Sequence, residues 1–71
     1  MCRENSMNQV NAAIENLRNA LSSAALLDAQ SQALSFIQAA FEAEEINQTE
    51  KQALDKKVRR IYRNQLIEES A

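Results

Sequence analysis

The chain has 71 residues and a formal net charge of −2, so it makes one domain with a small core. It contains no histidine and a single cysteine, Cys2, which excludes histidine-based acid–base catalysis and a disulfide within the chain. It also contains no glycine, which excludes the glycine-rich loops that cradle phosphates. No catalytic residue, metal site or cofactor is therefore expected, and the sequence assigns no role to Cys2.

Glycine and proline are both absent from the chain. Glycine supplies the left-handed conformations that hairpins and many loops require, and proline commonly marks the edges of helices and strands. Their absence predicts an all-α fold, a small helical bundle whose helices are joined by short turns.

The first helix is predicted over about residues 6–25, with Asn5 or Ser6 as its N-cap. Apolar residues recur in it at alternating spacings of three and four, which is typical of a buried seam. These residues are Met7, Val10, Ile14, Leu17, Leu21 and Ala24.

The second helix is predicted over about residues 28–45, with Asp28 as its N-cap. Ser22-Ser23 is a second candidate for the break between the helices. Because no glycine separates the two segments, one continuous helix through residue 45 is also an alternative.

Two sides of the second helix are apolar. One side carries Leu27, Leu34, Ile37 and Phe41. The other side carries Phe36, Ala29, Ala33, Ala40 and Ala43. A helix of this kind is either central in a bundle or presents one side to a partner. The side around Phe36 is therefore a candidate partner interface.

The third helix is predicted over about residues 48–68. Asn47 precedes Glu50 by three residues, the spacing of a capping box at a helix start. The side predicted to be buried carries Leu54, Val58, Ile61, Tyr62, Gln65 and Leu66.

The outward side of the third helix carries a candidate basic patch, formed by Lys56, Arg59, Arg60 and Arg63. Such a patch is compatible with a solvated face, with an acidic protein partner or with nucleic acid. In an antiparallel hairpin Lys51 and Lys56 would come near the acidic stretch that contains Glu42, Glu44 and Glu45.

Three helices of similar length joined by short turns favour an up-down-up bundle over residues 1–71, with residues 1–5 and 69–71 frayed. The alternative is a long first helix with the last helix folded back, completed by dimerisation. Dimerisation is expected in any case to help so small a core. No apolar run is long enough to span a membrane, and a cytoplasmic protein is expected.

The expected function is that of a non-catalytic protein–protein interaction module, a regulator, adaptor or inhibitor that forms a homodimer and binds another protein. The alternative is an RNA- or DNA-binding protein that uses the basic patch. The small size and the bias toward alanine, asparagine and glutamine resemble the small accessory proteins of bacteria and their phages, although no specific motif carries the resemblance.

Overall fold

Three α-helices make up the fold. In a computed structural model, which describes the backbone of residues 3–70 and the side chains of residues 7–67, they are α1 (Arg3–Arg18), α2 (Ser23–Glu42) and α3 (Gln48–Ser70). Each helix packs against both of the others. The predicted all-α three-helix bundle is therefore confirmed. None of the described helices is long and apolar enough to span a membrane.

A hydrogen bond from α3 to α1 shows the direction of the helices. The side-chain amide of Gln65 donates to the backbone carbonyl oxygen of Arg18, the last residue of α1. The carboxyl ends of α1 and α3 thus lie at the same end of the bundle, with α2 antiparallel to both, which is the predicted up-down-up order.

The first break lies earlier than predicted. Helix α1 begins at Arg3, so Asn5 and Ser6 lie within it, and it ends at Arg18 rather than near residue 25. Helix α2 begins at Ser23 rather than at residue 28, because Ser22 is its N-cap. The Ser22 hydroxyl accepts a hydrogen bond of 3.1 Å from the Ala25 amide, and its backbone is extended. The helices are therefore separate, and the break lies at the second candidate position.

The second break agrees with the capping prediction. The Glu50 amide donates to Oδ1 of Asn47 at 2.8 Å, and the Asn47 amide donates to Oε1 of Glu50 at 3.1 Å. This is a reciprocal capping box, with asparagine in place of serine or threonine. Helix α3 consequently begins at Gln48, as predicted.

Helix α2 ends in a Schellman motif built without glycine. The Glu45 amide donates to the Ala40 carbonyl at 2.9 Å, and the Glu44 amide donates to the Phe41 carbonyl at 3.0 Å. Glu44 adopts a φ of 61°, the left-handed conformation that this motif requires. The side chain after the motif, Ile46, is buried in the core, so the turn attaches α2 to α3 through packing as well as hydrogen bonds.

Replacing Glu44 by glycine is expected to raise the free energy of unfolding by about 0.5–1 kcal/mol, because a left-handed conformation is unfavourable for a residue with a Cβ atom. Urea denaturation followed by circular dichroism measures the change. Glu44→Ala is the control, since it removes the same carboxylate but keeps the Cβ atom. Equal stabilities for the two variants would show that the backbone conformation at this position carries no penalty.

Among the side chains that the structure describes, α2 contributes more buried residues to the core than either neighbour. The buried apolar residues among the described side chains are Val10, Ala13, Ile14, Leu17, Leu26, Ala29, Ala33, Ile37, Ala40, Ile46 and Val58. The predicted α1 seam is confirmed from Val10 to Leu17. It does not continue to Leu21, which lies between the helices and is 92% exposed.

Candidate protein-binding surface

The residues predicted as a partner interface on α2 do not share one exposed face. Ala29, Ala33 and Ala40 are buried in the core between the helices. Phe36 is 38% exposed and Ala43 is exposed. The three alanines therefore hold the bundle together, and only Phe36 and Ala43 remain accessible to a partner.

The buried side of α2 lies between the two apolar sides that the sequence suggests. Its members are Leu26, Ala29, Ala33, Ile37 and Ala40. They are spaced by three or four residues throughout, so they form one continuous stripe of the helix. The buried side of α2 therefore combines Ile37 from one predicted apolar side with three alanines from the other. Leu27, which the sequence places on one apolar side with Leu34, Ile37 and Phe41, is 53% exposed.

The predicted basic patch lies on the outer face of α3. All four members, Lys56, Arg59, Arg60 and Arg63, are exposed. At about 100° per residue they fall within an arc of roughly 100°. This arc lies roughly opposite Val58, which is the fully buried side chain among residues 48–67 of α3. The patch is therefore positioned by the packing of α3 on the bundle, and it points to solvent.

The charges of the patch are not neutralised within the described part of the chain. No described carboxylate forms an ion pair with any of its four side chains. The ion pair at the start of α3 joins Lys51 to Asp55, with 2.9 Å between Nζ and Oδ2. Lys51 also lies over the Phe41 ring, 5.8 Å from its centre. Lys51 thus pairs within its own helix rather than with Glu42 or Glu44.

Two apolar side chains continue the line of the basic patch. Leu66 and Ile67 follow Arg63 by three and four residues, which places them on the same side of the helix. Leu66 is 37% exposed and Ile67 is 61% exposed. Leu66 was assigned to the buried side from sequence, and this is wrong. The six residues are called the basic–apolar stripe below: Lys56, Arg59, Arg60, Arg63, Leu66 and Ile67.

The apolar end of the stripe lies where other large apolar side chains are exposed. Leu21 precedes α2 and Leu27 lies near its start, so both belong to the end of the bundle at which α1 and α3 finish. Both are more than half exposed. Four of the five large apolar side chains that are exposed in the described residues therefore lie near this end of the bundle.

A concave surface lies at the opposite end, at the turn between α2 and α3. It encloses about 640 Å³. Its lining combines carboxylates with apolar groups: Phe41, Glu42, Glu44, Glu45, Ile46, Asn47 and Glu50. Among the residues that the structure describes, no group of His, Cys, Asp or Glu side chains is arranged to hold a metal ion. Cys2 lies outside the described residues.

No protein-family model matches the chain, and neither a curated protein nor a solved structure matches it.

Proposed function

We propose that the chain is a small non-catalytic protein–protein interaction module, a regulator, adaptor or inhibitor that binds another protein through the outer face of α3. The basic–apolar stripe is the observation that supports this function. Its four charges are solvated and have no carboxylate partner in the described residues, and two apolar side chains follow on the same line. The proposed place of action is the cytoplasm of a bacterial or phage-infected cell.

The composition of the stripe favours a protein partner. Arginine is enriched in protein interfaces, because its planar guanidinium can donate two parallel hydrogen bonds to a carboxylate while its methylene groups pack on apolar surface. Leu66 and Ile67 add apolar area that a partner can remove from water. Together these groups complement a surface on which carboxylates lie beside apolar side chains.

Nucleic acid is the second candidate. The observation that favours it is the row of four exposed basic side chains along two turns of α3. The stripe contains no aromatic side chain on which a nucleobase could stack. The nearby Tyr62 is not available for stacking, because it is partly buried against the core. The overall charge of −2 also opposes phosphate at long range. A phosphate backbone would leave Leu66 and Ile67 without a function.

Affinity capture from the source cells tests the proposal. The wild type is expected to retain one or more proteins that the double variant Arg59→Glu, Arg63→Glu loses by about tenfold or more, because charge reversal places like charges at the interface. Asn8→Glu with Asn11→Glu, at exposed positions in the first half of α1 and away from the end that carries Leu66 and Ile67, is the control for added negative charge, and Phe36→Glu tests the remaining α2 surface. Nuclease treatment before capture is expected to change nothing.

Two outcomes would contradict the proposal. Retention of the same proteins by wild type and double variant would show that the stripe is not the binding surface. Release of the bound material by nuclease, together with a steep loss of binding between low and moderate salt, would assign the stripe to nucleic acid instead.

A further inference from the structure

The basic–apolar stripe lies on a ridge of the bundle and not in a groove between helices. Gln65, which donates to α1, and Lys51, which lies over the Phe41 ring of α2, are each within about 20° of Val58 around α3. The stripe is centred roughly 140° from Val58 on the same helix. Both neighbouring helices therefore pack on the far side of α3, and a partner that binds the stripe contacts α3 itself.

The stripe is long and narrow. Ile67 lies eleven residues beyond Lys56, which is about 16 Å at 1.5 Å per residue. An arc of about 120° on a helix about 11 Å across is about 10 Å wide, so the footprint is about 160 Å². Each partner in a stable complex of two folded proteins buries about 800 Å². A footprint this small fits one linear segment of a partner.

The positive section of the stripe is bounded at both ends. Toward the start of α3 the same face carries Thr49 and Gln52, which are exposed and uncharged. Asp55, a carboxylate beside this section, is already paired with Lys51. Toward the end of the helix the two apolar members of the stripe follow. The complement of this face is therefore a row of carboxylates about 10 Å long with apolar side chains at one end.

A second copy does not supply this complement when it docks on the same face. Two stripes placed face to face set four cations against four cations, and like charges across an interface are unfavourable. The exposed carboxylates Glu42 and Glu44 lie at the end of α2, which packs on the far side of α3, so they do not reach the arginines in such a pair. Charge complementarity thus favours a different molecule.

A helical partner matches the levels of the stripe along α3. The members of the stripe recur at intervals of three and four residues, which are about 4.5 and 6 Å. Carboxylates with the same spacing on a second helix fall at the same levels over the whole length, so each can face one cation. In an extended segment, side chains on one face recur about every 6.7 Å. After three steps they lie about 4 Å out of register, which is longer than a hydrogen bond.

We propose that the stripe binds a single acidic amphipathic helix of a partner protein. Carboxylates spaced three and four residues apart on that helix pair with Arg59 and Arg63, and apolar side chains at the end of the row pack on Leu66 and Ile67. This inference rests on the proposed function and names the kind of segment that the same surface binds.

Nuclear magnetic resonance titration of the full, 15N-labelled chain tests the helix. The probe is an alanine-rich peptide of about 21 residues, a length at which isolated helices begin to be populated in water. It carries three glutamates spaced by three and four residues, and a leucine at each end of the row so that it can bind in either direction. Saturable binding is expected to shift the backbone amide signals from Lys56 to Ile67, and to weaken about tenfold at 0.5 M salt.

A matched pair of variants separates the stripe from net charge. Arg59→Gln with Arg63→Gln and Asn8→Glu with Asn11→Glu each change the net charge from −2 to −4, since each substitution changes the charge by one unit. The first variant is expected to bind the peptide about tenfold more weakly, because two exposed ion pairs are lost. Arginine and glutamine have similar helix propensities, so it should fold. The second is expected to bind as the wild type does, because Asn8 and Asn11 are exposed on α1.

Two control peptides test the conformation of the partner. One has the same composition, but its glutamates and leucines are scattered around the helix. The other keeps them in place and replaces two alanines by proline, which prevents helix formation. Each is expected to bind about tenfold more weakly. Equal binding of the proline peptide would replace the helix by an extended acidic segment, and equal binding of the scattered peptide would show that no row is recognised.

Other results would also overturn the acidic helix. They are absence of binding at millimolar peptide, and binding that Arg59→Gln with Arg63→Gln leaves unchanged. A dimer of the peptide-free chain that the same substitutions dissociate would assign the stripe to a second copy. None of these results decides the proposed function, because capture of a protein from the source cells is measured separately. If the helix fails while capture still depends on Arg59 and Arg63, the stripe binds an acidic surface of another shape.

Discussion

Leu17→Ala is expected to lower the free energy of unfolding by about 3 kcal/mol, whereas Leu21→Ala is expected to change it by less than about 0.5 kcal/mol. Leu17 is fully buried at the end of the α1 seam, and Leu21 is 92% exposed four residues later. The first replacement removes apolar atoms from a packed site and leaves a cavity. The second removes atoms that are already in water, so little free energy is lost.

The pair is matched, because residue type and substitution are the same at both positions and only the burial differs. Urea denaturation followed by circular dichroism at 222 nm measures both changes. A domain of this size has a total stability of about 3–5 kcal/mol, so Leu17→Ala should be partly unfolded without denaturant. Similar losses at both positions would mean that α1 continues past Arg18 and buries Leu21.

The end of α1 shows where reasoning from the sequence stops. Leu21 and Ala24 continue the spacing of three and four, and no glycine or proline interrupts the pattern. Two facts outweigh it in the structure. Ser22 caps α2 and so starts a new helix inside the apolar pattern. Gln65 donates to the last carbonyl of α1 across 47 positions of the chain. The first was recognised as an alternative, whereas the second depends on the packing of α3.

The features that local chemistry determines were predicted well. The Asn47–Glu50 capping box and the start of α3 involve residues that are neighbours in the chain, so their spacing is sufficient evidence. The exposure of the basic patch was also expected, because burial of four unpaired charges would be prohibitively unfavourable. Its continuation into Leu66 and Ile67 was missed, since an apolar residue near a predicted seam is readily assigned to the core.

The buried side of α2 required knowledge of both neighbouring helices. The sequence left two alternatives for the side that carries Phe36 and the alanines: packing within the bundle or contact with a partner. Three of the alanines are buried in the bundle, because a central helix packed on two sides needs small residues where its neighbours approach closely. Burial thus follows the geometry of the gap between helices more than the hydrophobicity of the residue.

Ala33→Leu follows from this packing and is expected to destabilise the bundle by about 2 kcal/mol. Ala33 has no exposed surface, so three additional carbon atoms must displace neighbours from α1 and α3 or distort the leucine rotamer. Had Ala33 belonged to an exposed partner face, the larger side chain would have been accommodated in solvent. The free energy of unfolding, measured with urea, therefore distinguishes a buried Ala33 from an exposed one.

Ala39→Leu is the matched control for this replacement. Ala39 lies on the same helix but is exposed, and alanine and leucine have similar helix propensities. Its replacement is expected to change the free energy of unfolding by less than about 0.5 kcal/mol. If Ala33→Leu were tolerated as well as Ala39→Leu, the α2 alanines would not be in close contact with both neighbours. The side around Phe36 would then regain its standing as a partner interface, in competition with the basic–apolar stripe.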